Sequence, residues 1–442
     1  MSTSTDAHSY NRMSNKKGFL ALSPLIVLMF FIAMFTIYSV DKTDNEPNLS
    51  LSVAFMISSI YAIMITGGIP VRKRIDTYSK GAGSSNLMLM LWIYVLAGAF
   101  AASAKSIGAI DATVNLALNY LPTEMIMPGL FLAACFISIS IGTSVGTVVA
   151  LVPIAAGIAM STGNSIPLMT ATIVGGAYFG DNLSFISDTT VVATQTQGCR
   201  MSDKFRVNAQ IVIPAAIIVL IIYSIIGSGT QQPPEIAKVE WIKVIPYFIV
   251  LITAILGKNV MAVLSLGLLL CGIIGIANKD FSIYGWFGAM GDGVLNMGEL
   301  VIIAMMAGGM LEIIRNNGGI DFIIEKLTAH VNSKKGAELS IAALVSFVNI
   351  CTANNTVAIL TVGSISKRIG DKFGVDNRKA ASILDTFSCT IQGLIPYGVQ
   401  MLLAAGLAKI NPIDILPYLY YPMAIGVAAL LSIIFRYPRK FS

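Results

Sequence analysis

The chain has 442 residues, of which 55% are hydrophobic and 12% charged. Soluble domains carry about 25% charged residues, so this composition excludes a surface bathed mainly in water and leaves no sizeable stretch for a soluble domain. The net charge of +6 sits in short clusters between apolar runs, which excludes a nucleic-acid patch and reads as a topology signal.

The first elements are a polar segment up to Lys17 and an apolar run without a small-residue cleavage site after it, read as a retained first helix. Runs of spanning length then follow at 19–40, 49–71, 86–108, 166–197, 209–227, 242–256, 259–277, 299–315, 379–407 and 414–435. Two apolar segments differ. Residues 124–161 are interrupted by "SIGTSVGT" (140–147), and 338–366 by "CTANNT" (351–356). Each is expected to be a helix–loop–helix that enters the membrane and returns to the same side. With the N-terminus, including Arg12, Lys16 and Lys17, in the cytoplasm, that choice puts the basic stretches 72–80, 199–206, 367–379 and 436–440 inside, and the weakly charged 109–127 loop outside.

The five cysteines (135, 199, 271, 351, 389) share no metal-ligand spacing, and His8 and His330 are the only histidines. No cofactor is expected. Lys105 and Arg315 read as side chains snorkelling to the interface. Glu312 lies one turn before Arg315 and either pairs with it or serves as a proton relay. Glu299 suits the start of its helix.

A duplication runs through the chain. "LAGAFAASAKSIGAID" (96–111) aligns with "MAGGMLEIIRNNGGID" (306–321) at an offset of 306 − 96 = 210. Thr143, Thr147 and Val148 align with Thr352, Thr356 and Val357 at 356 − 147 = 209, and Asp181 and Ser184 with Asp385 and Ser388 at 385 − 181 = 204. An odd number of spans per unit turns the second unit upside down, a transporter signature. The expected fold is an all-α polytopic membrane protein of about ten transmembrane helices plus two re-entrant hairpins, in two inverted-topology repeats with broken helices. The expected boundaries are a cytoplasmic tail (1–18), a first repeat (19–227), a second repeat (242–435) and a cytoplasmic tail (436–442).

The chemistry concentrates in the breaks. "GDNLSFISDTT" (180–190) has the composition of an unwound helix, with Asp181, Asn182, Ser184, Ser187, Asp188 and Thr189 supplying hard oxygens beside freed carbonyls. Na⁺ needs such ligands to replace its water shell. Buried carboxylates cost several kcal/mol unless paired, protonated or cation-bound, so Asp181 and Asp188, turned toward one cavity, imply a cation, a proton or both. "LDTFSCTIQGLIPYG" (384–398) repeats the logic with Asp385, Ser388 and Gln392. The hairpin tips add Thr143, Ser144 and Thr147 in the first half, and Thr352, Asn354, Asn355 and Thr356 in the second. Half-helix N-termini there would also favour an anion.

"GGAYFGDNLSFISDTT", "SIGTSVGTVVAL" and "SILDTFSCTIQGLIPYG" resemble the motifs of the NhaC-type Na⁺/H⁺ antiporters, within the wider ion-transporter superfamily. The resemblance runs over roughly residues 86–410 and implies Na⁺/H⁺ exchange, with Asp181, Ser184, Ser187, Asp188 and Thr189 at the first broken-helix site and Thr143, Ser144 and Thr147 at the first tip. Some relatives exchange malate or lactate, so a Na⁺- or H⁺-coupled carrier of an amino acid or small organic acid is the alternative. The second-half motifs depart from the family pattern in being uncharged at their centres. Expected partners are Na⁺, H⁺ and the lipid bilayer, with a homodimer as the candidate assembly and no nucleic acid. The expected location is a bacterial inner membrane with both termini cytoplasmic.

Overall fold

The computed structural model describes residues 15–41, 50–184, 187–228, 238–256, 258–329 and 331–441. His8, Arg12, His330 and most of the expected N-terminal tail lie outside the described residues. The first helices are α1 (Asn15–Asp41), α2 (Leu51–Ile65), α3 (Val71–Ala82), α4 (Ser85–Ser106), α5 (Ala109–Tyr120), α6 (Thr123–Ile141), α7 (Ser144–Thr162), α8 (Ile166–Leu183), α9 (Asp188–Gln197) and α10 (Met201–Gly227). They continue as α11 (Trp241–Ile255), α12 (Val260–Ala277), α13 (Ile283–Asn296), α14 (Gly298–Asn316), α15 (Gly319–Thr328), α16 (Lys334–Thr352), α17 (Asn355–Phe373), α18 (Asn377–Leu394), α19 (Val399–Ala408), α20 (Pro412–Ile415) and α21 (Tyr420–Ile434). Among the described residues eight helices are long and apolar enough to cross a membrane, or up to ten if each bent pair counts as one span.

Two compact units emerge, Met1–Ser84 with Met305–Val331, and Ser85–Ala304 with Asn332–Ser442. In the first, α1 packs on α2 and α15. Tyr78 donates to Ser59 Oγ, and Asn317 Nδ2 to Thr66 Oγ1. The second holds both helix–break–helix pairs and both tips. Between apolar helices in lipid the driving force is close packing rather than water exclusion, so small residues sit at the contacts. A Cβ on Gly98 would lie 2.4 Å from the Gly293 carbonyl oxygen, which sets how closely α4 and α13 approach.

The helix boundaries correct the repeat register. α6 and α16 have 19 residues each, as do α7 and α17; α8 and α18 have 18, and α9 and α19 have 10. Their starts differ by a constant amount: 355 − 144, 377 − 166 and 399 − 188 all give 211. The 209 offset at the tips and the 204 offset at the breaks are therefore mistaken. Thr143 corresponds to Asn354, both N-cap residues, and Asp181 corresponds to Gln392 rather than Asp385. Short matches among Asp, Ser and Thr slide easily, whereas a helix break has one position. The 210 offset of the "GAID/GGID" element stands, because Gly108 and Gly318 both take the left-handed conformation, at φ 74° and 77°.

Three further expectations change. The segment expected as a 109–127 loop carries helix α5, and α13 was not foreseen at all; glycines at 285, 288, 291 and 293 weaken its helical signal. The basic stretch 199–206 is not a loop: α10 starts at Met201, and Lys204 is buried. Lys379, counted among the loop charges of 367–379, is buried in α18 and donates to Ser432 Oγ at 2.8 Å.

Candidate ion site at the helix breaks

Each tip turns on one left-handed residue, Gly142 at φ 73° and Ala353 at φ 48°, and opens into the N-terminus of α7 or α17. Glycine enters this region freely; the alanine in the second tip bears a steric cost. The breaks α8–α9 and α18–α19 face these tips. A single pocket of about 90 Å³ is lined from all four elements, by Thr143 and Ser144, Asp181, Asp188 and Thr189, Asn354, Asn355 and Thr356, and Gln392 and Gln400.

Asp181 is buried and anchored. Its Oδ2 accepts from Ser144 Oγ at 2.6 Å and its Oδ1 from the Ser144 backbone N–H at 3.2 Å. Ser144 Oγ in turn accepts from Gln400 Nε2 at 3.0 Å, and Gln400 Oε1 accepts from Gln392 Nε2 at 3.2 Å. Gln392 Nε2 also reaches the Ala353 carbonyl at 2.9 Å. One relay of polar side chains thus joins both tips and both breaks. Asp188 opens α9 and is exposed at the mouth of the same pocket. Among the described residues no lysine, arginine or histidine forms an ion pair with Asp181 or Asp188.

The expectation of free carbonyls in the first break is corrected. The Asp181 carbonyl accepts from Ser187 Oγ at 2.9 Å and Thr189 Oγ1 at 3.3 Å. The Asn182 carbonyl accepts from Lys204 Nζ and Asn208 Nδ2, both at 2.9 Å. Low-dielectric surroundings make an orphaned carbonyl costly, so nearby donors take it up.

Not all the expected residues reach the pocket. Asp385 is fully buried elsewhere, in an ion pair with Lys204 at 2.8 Å, and its Oδ2 also accepts from Asn208 Nδ2 at 2.7 Å and Asn182 Nδ2 at 3.1 Å. Asn182 Oδ1 accepts from Tyr421 at 2.8 Å. Ser184 Oγ donates to the Ile139 carbonyl at 2.9 Å, fastening α8 to α6, and Ser187 caps α9. Ser388 Oγ donates to the carbonyl of Asp385 at 3.0 Å, Thr147 Oγ1 to that of Thr143 at 3.2 Å, and Thr352 Oγ1 to that of Asn354 at 3.1 Å. Glu312 lies 3.8 Å from Arg315 and does not line the pocket. Sequence reasoning missed Lys204, Asn208, Gln400 and Tyr421. Only Gln400 had a signal: at the 211 offset it stands opposite Thr189.

The sequence profile of the Na⁺/H⁺ antiporter family matches residues 16–228 and 235–438. The chain is 25% identical to the Malate-2H(+)/Na(+)-lactate antiporter of Bacillus subtilis (strain 168), over 94% of each chain. It is 24% identical to the Na(+)/H(+) antiporter NhaC of the same organism, over 94% of this chain and 98% of that one. The Alcanivorax borkumensis YdaH transporter structure aligns over 96% of this chain and 99% of that one, at 13% identity and a TM-score of 0.40. With matches on both sides of the central connection and a polar pocket between two helix breaks, the chain belongs to the Na⁺/H⁺ antiporter family.

Proposed function

We propose that the chain is a secondary active transporter of a bacterial inner membrane that extrudes Na⁺ in exchange for H⁺. One contrast carries this reading. Among the described residues two carboxylates are buried near the first break; Asp385 has its countercharge in Lys204, and Asp181 has none. An uncompensated buried carboxylate is costly, so Asp181 is where an ion from outside the protein completes the charge balance. Na⁺ and H⁺ compete for the same oxygens there, and the empty, charged site is too costly to carry across the membrane. Exchange follows from that competition. Two inverted repeats with re-entrant tips would let the site face each side in turn, with both termini cytoplasmic.

A second reading, a coupled carrier of a small organic acid, rests on the helix N-termini. α7, α9, α17 and α19 all begin at the pocket, and among the described residues neither α7 nor α19 has a side-chain cap. Such ends favour an anion, and the malate and lactate named for one relative are anions. The pocket volume favours the ion: about 90 Å³ is well below the roughly 300 Å³ at which small-molecule sites begin.

The deciding experiment uses proteoliposomes loaded with a pH-sensitive dye. Na⁺, Li⁺, K⁺, malate and lactate are added in turn across an imposed proton gradient. The expected result is proton movement driven by Na⁺ and abolished by Asp181→Asn. Proton movement that requires malate or lactate would transfer the reading to the organic-acid carrier. Na⁺-driven exchange intact in Asp181→Asn would place the exchange site elsewhere.

A further inference from the structure

The Lys204–Asp385 pair does not line the pocket, and its surroundings are unusual for a structural ion pair. The ammonium is held by three oxygens: Asp385 Oδ2 at 2.8 Å, the Asn182 carbonyl at 2.9 Å and Thr190 Oγ1 at 2.7 Å. These use all three of its donors. Two more oxygens, Asp385 Oδ1 and Asn208 Oδ1, are buried and have no hydrogen-bond partner among the described residues. The ammonium therefore sits among carboxylate, carbonyl and hydroxyl oxygens, and the unpartnered oxygens belong to its own partner Asp385 and to Asn208, which is hydrogen-bonded to that carboxylate. A buried pair is often replaceable by apolar residues without loss of stability, so stability alone does not account for this one.

We propose that this shell is a second monovalent-cation site whose occupant in the present state is the chain's own Lys204 ammonium. Lys204 acts as a tethered cation: when it withdraws, a Na⁺ takes the same oxygens, one positive charge replacing another. The two unpartnered oxygens supply the extra ligands that a bare ion needs and an ammonium with three donors does not. Asp181 and Asn182 are consecutive, so one helix break serves both sites. The Asp181 carboxylate faces the pocket, and the Asn182 carbonyl faces the shell. A Na⁺ arriving at Asp181 and a movement of Lys204 would thus act on the same short segment. This inference rests on the proposed Na⁺ binding at Asp181.

The test is Na⁺ binding stoichiometry on the purified full-length protein in detergent, measured with radioactive Na⁺ by equilibrium dialysis. At low millimolar Na⁺ the wild type should hold one ion. Lys204→Ala, which removes the tethered cation and leaves the oxygens, should hold two. Lys204→Ala/Asp385→Asn should return to one. One ion in both the wild type and a folded Lys204→Ala protein overturns the second site and leaves the proposed function standing. No ion in the wild type overturns both. Should Lys204→Ala fail to fold, the wild type decides by amine-specific labelling of Lys204 read by mass spectrometry. Labelling should rise several-fold with high Na⁺ and not with choline; labelling indifferent to Na⁺ overturns the exchange.

Discussion

Gly180→Ala probes the contact that holds Asp181 in place. A Cβ on Gly180 would lie 2.1 Å from Ser138 Oγ, 2.2 Å from Ser138 Cβ and 2.5 Å from the Ser138 carbonyl carbon. Carbon contacts are optimal at about 3.5–4.0 Å, so α6 and α8 must separate by roughly 1 Å or more. Overpacking of this kind costs about 1–3 kcal/mol. Ser138 Oγ also donates to the Ala177 carbonyl at 2.6 Å, and losing that bond in a buried position adds about 1–3 kcal/mol. The expected destabilisation is therefore about 2–6 kcal/mol. Since Asp181 is the next residue and α6 runs directly into the Gly142 tip, the Ser144–Asp181 geometry shifts too. A misplacement of about 1 Å can cost a hundredfold in function, so Na⁺-driven exchange should fall by a comparable factor. Gly129→Ala is the control. It lies in α6, the helix against which Gly180 of α8 packs, with nothing among the described residues near its added Cβ, and should stabilise by about 0.5–1 kcal/mol. Thermal unfolding in detergent and the dye assay measure both. Gly180→Ala with unfolding within about 1 kcal/mol of wild type and unchanged exchange would refute the close α6–α8 approach as the support of the site.

Asp188 is exposed at the pocket mouth, where a charge is worth about 1 kcal/mol at 4 Å in water. Asp188→Asn should therefore raise the Na⁺ half-saturation about fivefold, and less at high ionic strength; abolished exchange would make it a direct ligand. Asp376 caps α18, and hydrogen bonds from Arg378 hold its carboxyl below the usual carboxylate range. A carboxylate lowered in the folded state contributes stability above its unfolded value near 3.9 and loses it as pH falls through the folded one. Asp376→Ala should cost about 1–2 kcal/mol at pH 7, a difference that shrinks below about pH 4; pH-resolved unfolding in detergent measures it. Single cysteines at Ser165 and Lys335, labelled from each face of the membrane, should react from opposite sides, and reaction from the same side would exclude inverted re-entrant tips.

Sequence by itself determined the class of solvent, the existence of two breaks and two tips, and most of the residues that line the pocket. These are local properties. A run of apolar residues specifies a lipid-facing helix, and Gly, Asp, Asn, Ser and Thr crowded into a few positions specify where it ends. Thr143, Ser144, Asp181, Asp188, Thr189, Asn354, Asn355, Thr356 and Gln392 were legible for that reason. Tertiary structure alone decided which polar groups meet. Lys204 read as a loop charge because its neighbours Arg200, Asp203 and Arg206 are polar. Only the packing of α10 against α18 shows that its partner is Asp385. The same packing withdraws Asp385 and Asn182 from the pocket and, among the described residues, leaves Asp181 without a countercharge. Burial and pairing depend on what lies across the helix interface, far away in sequence, and local composition carries no record of it.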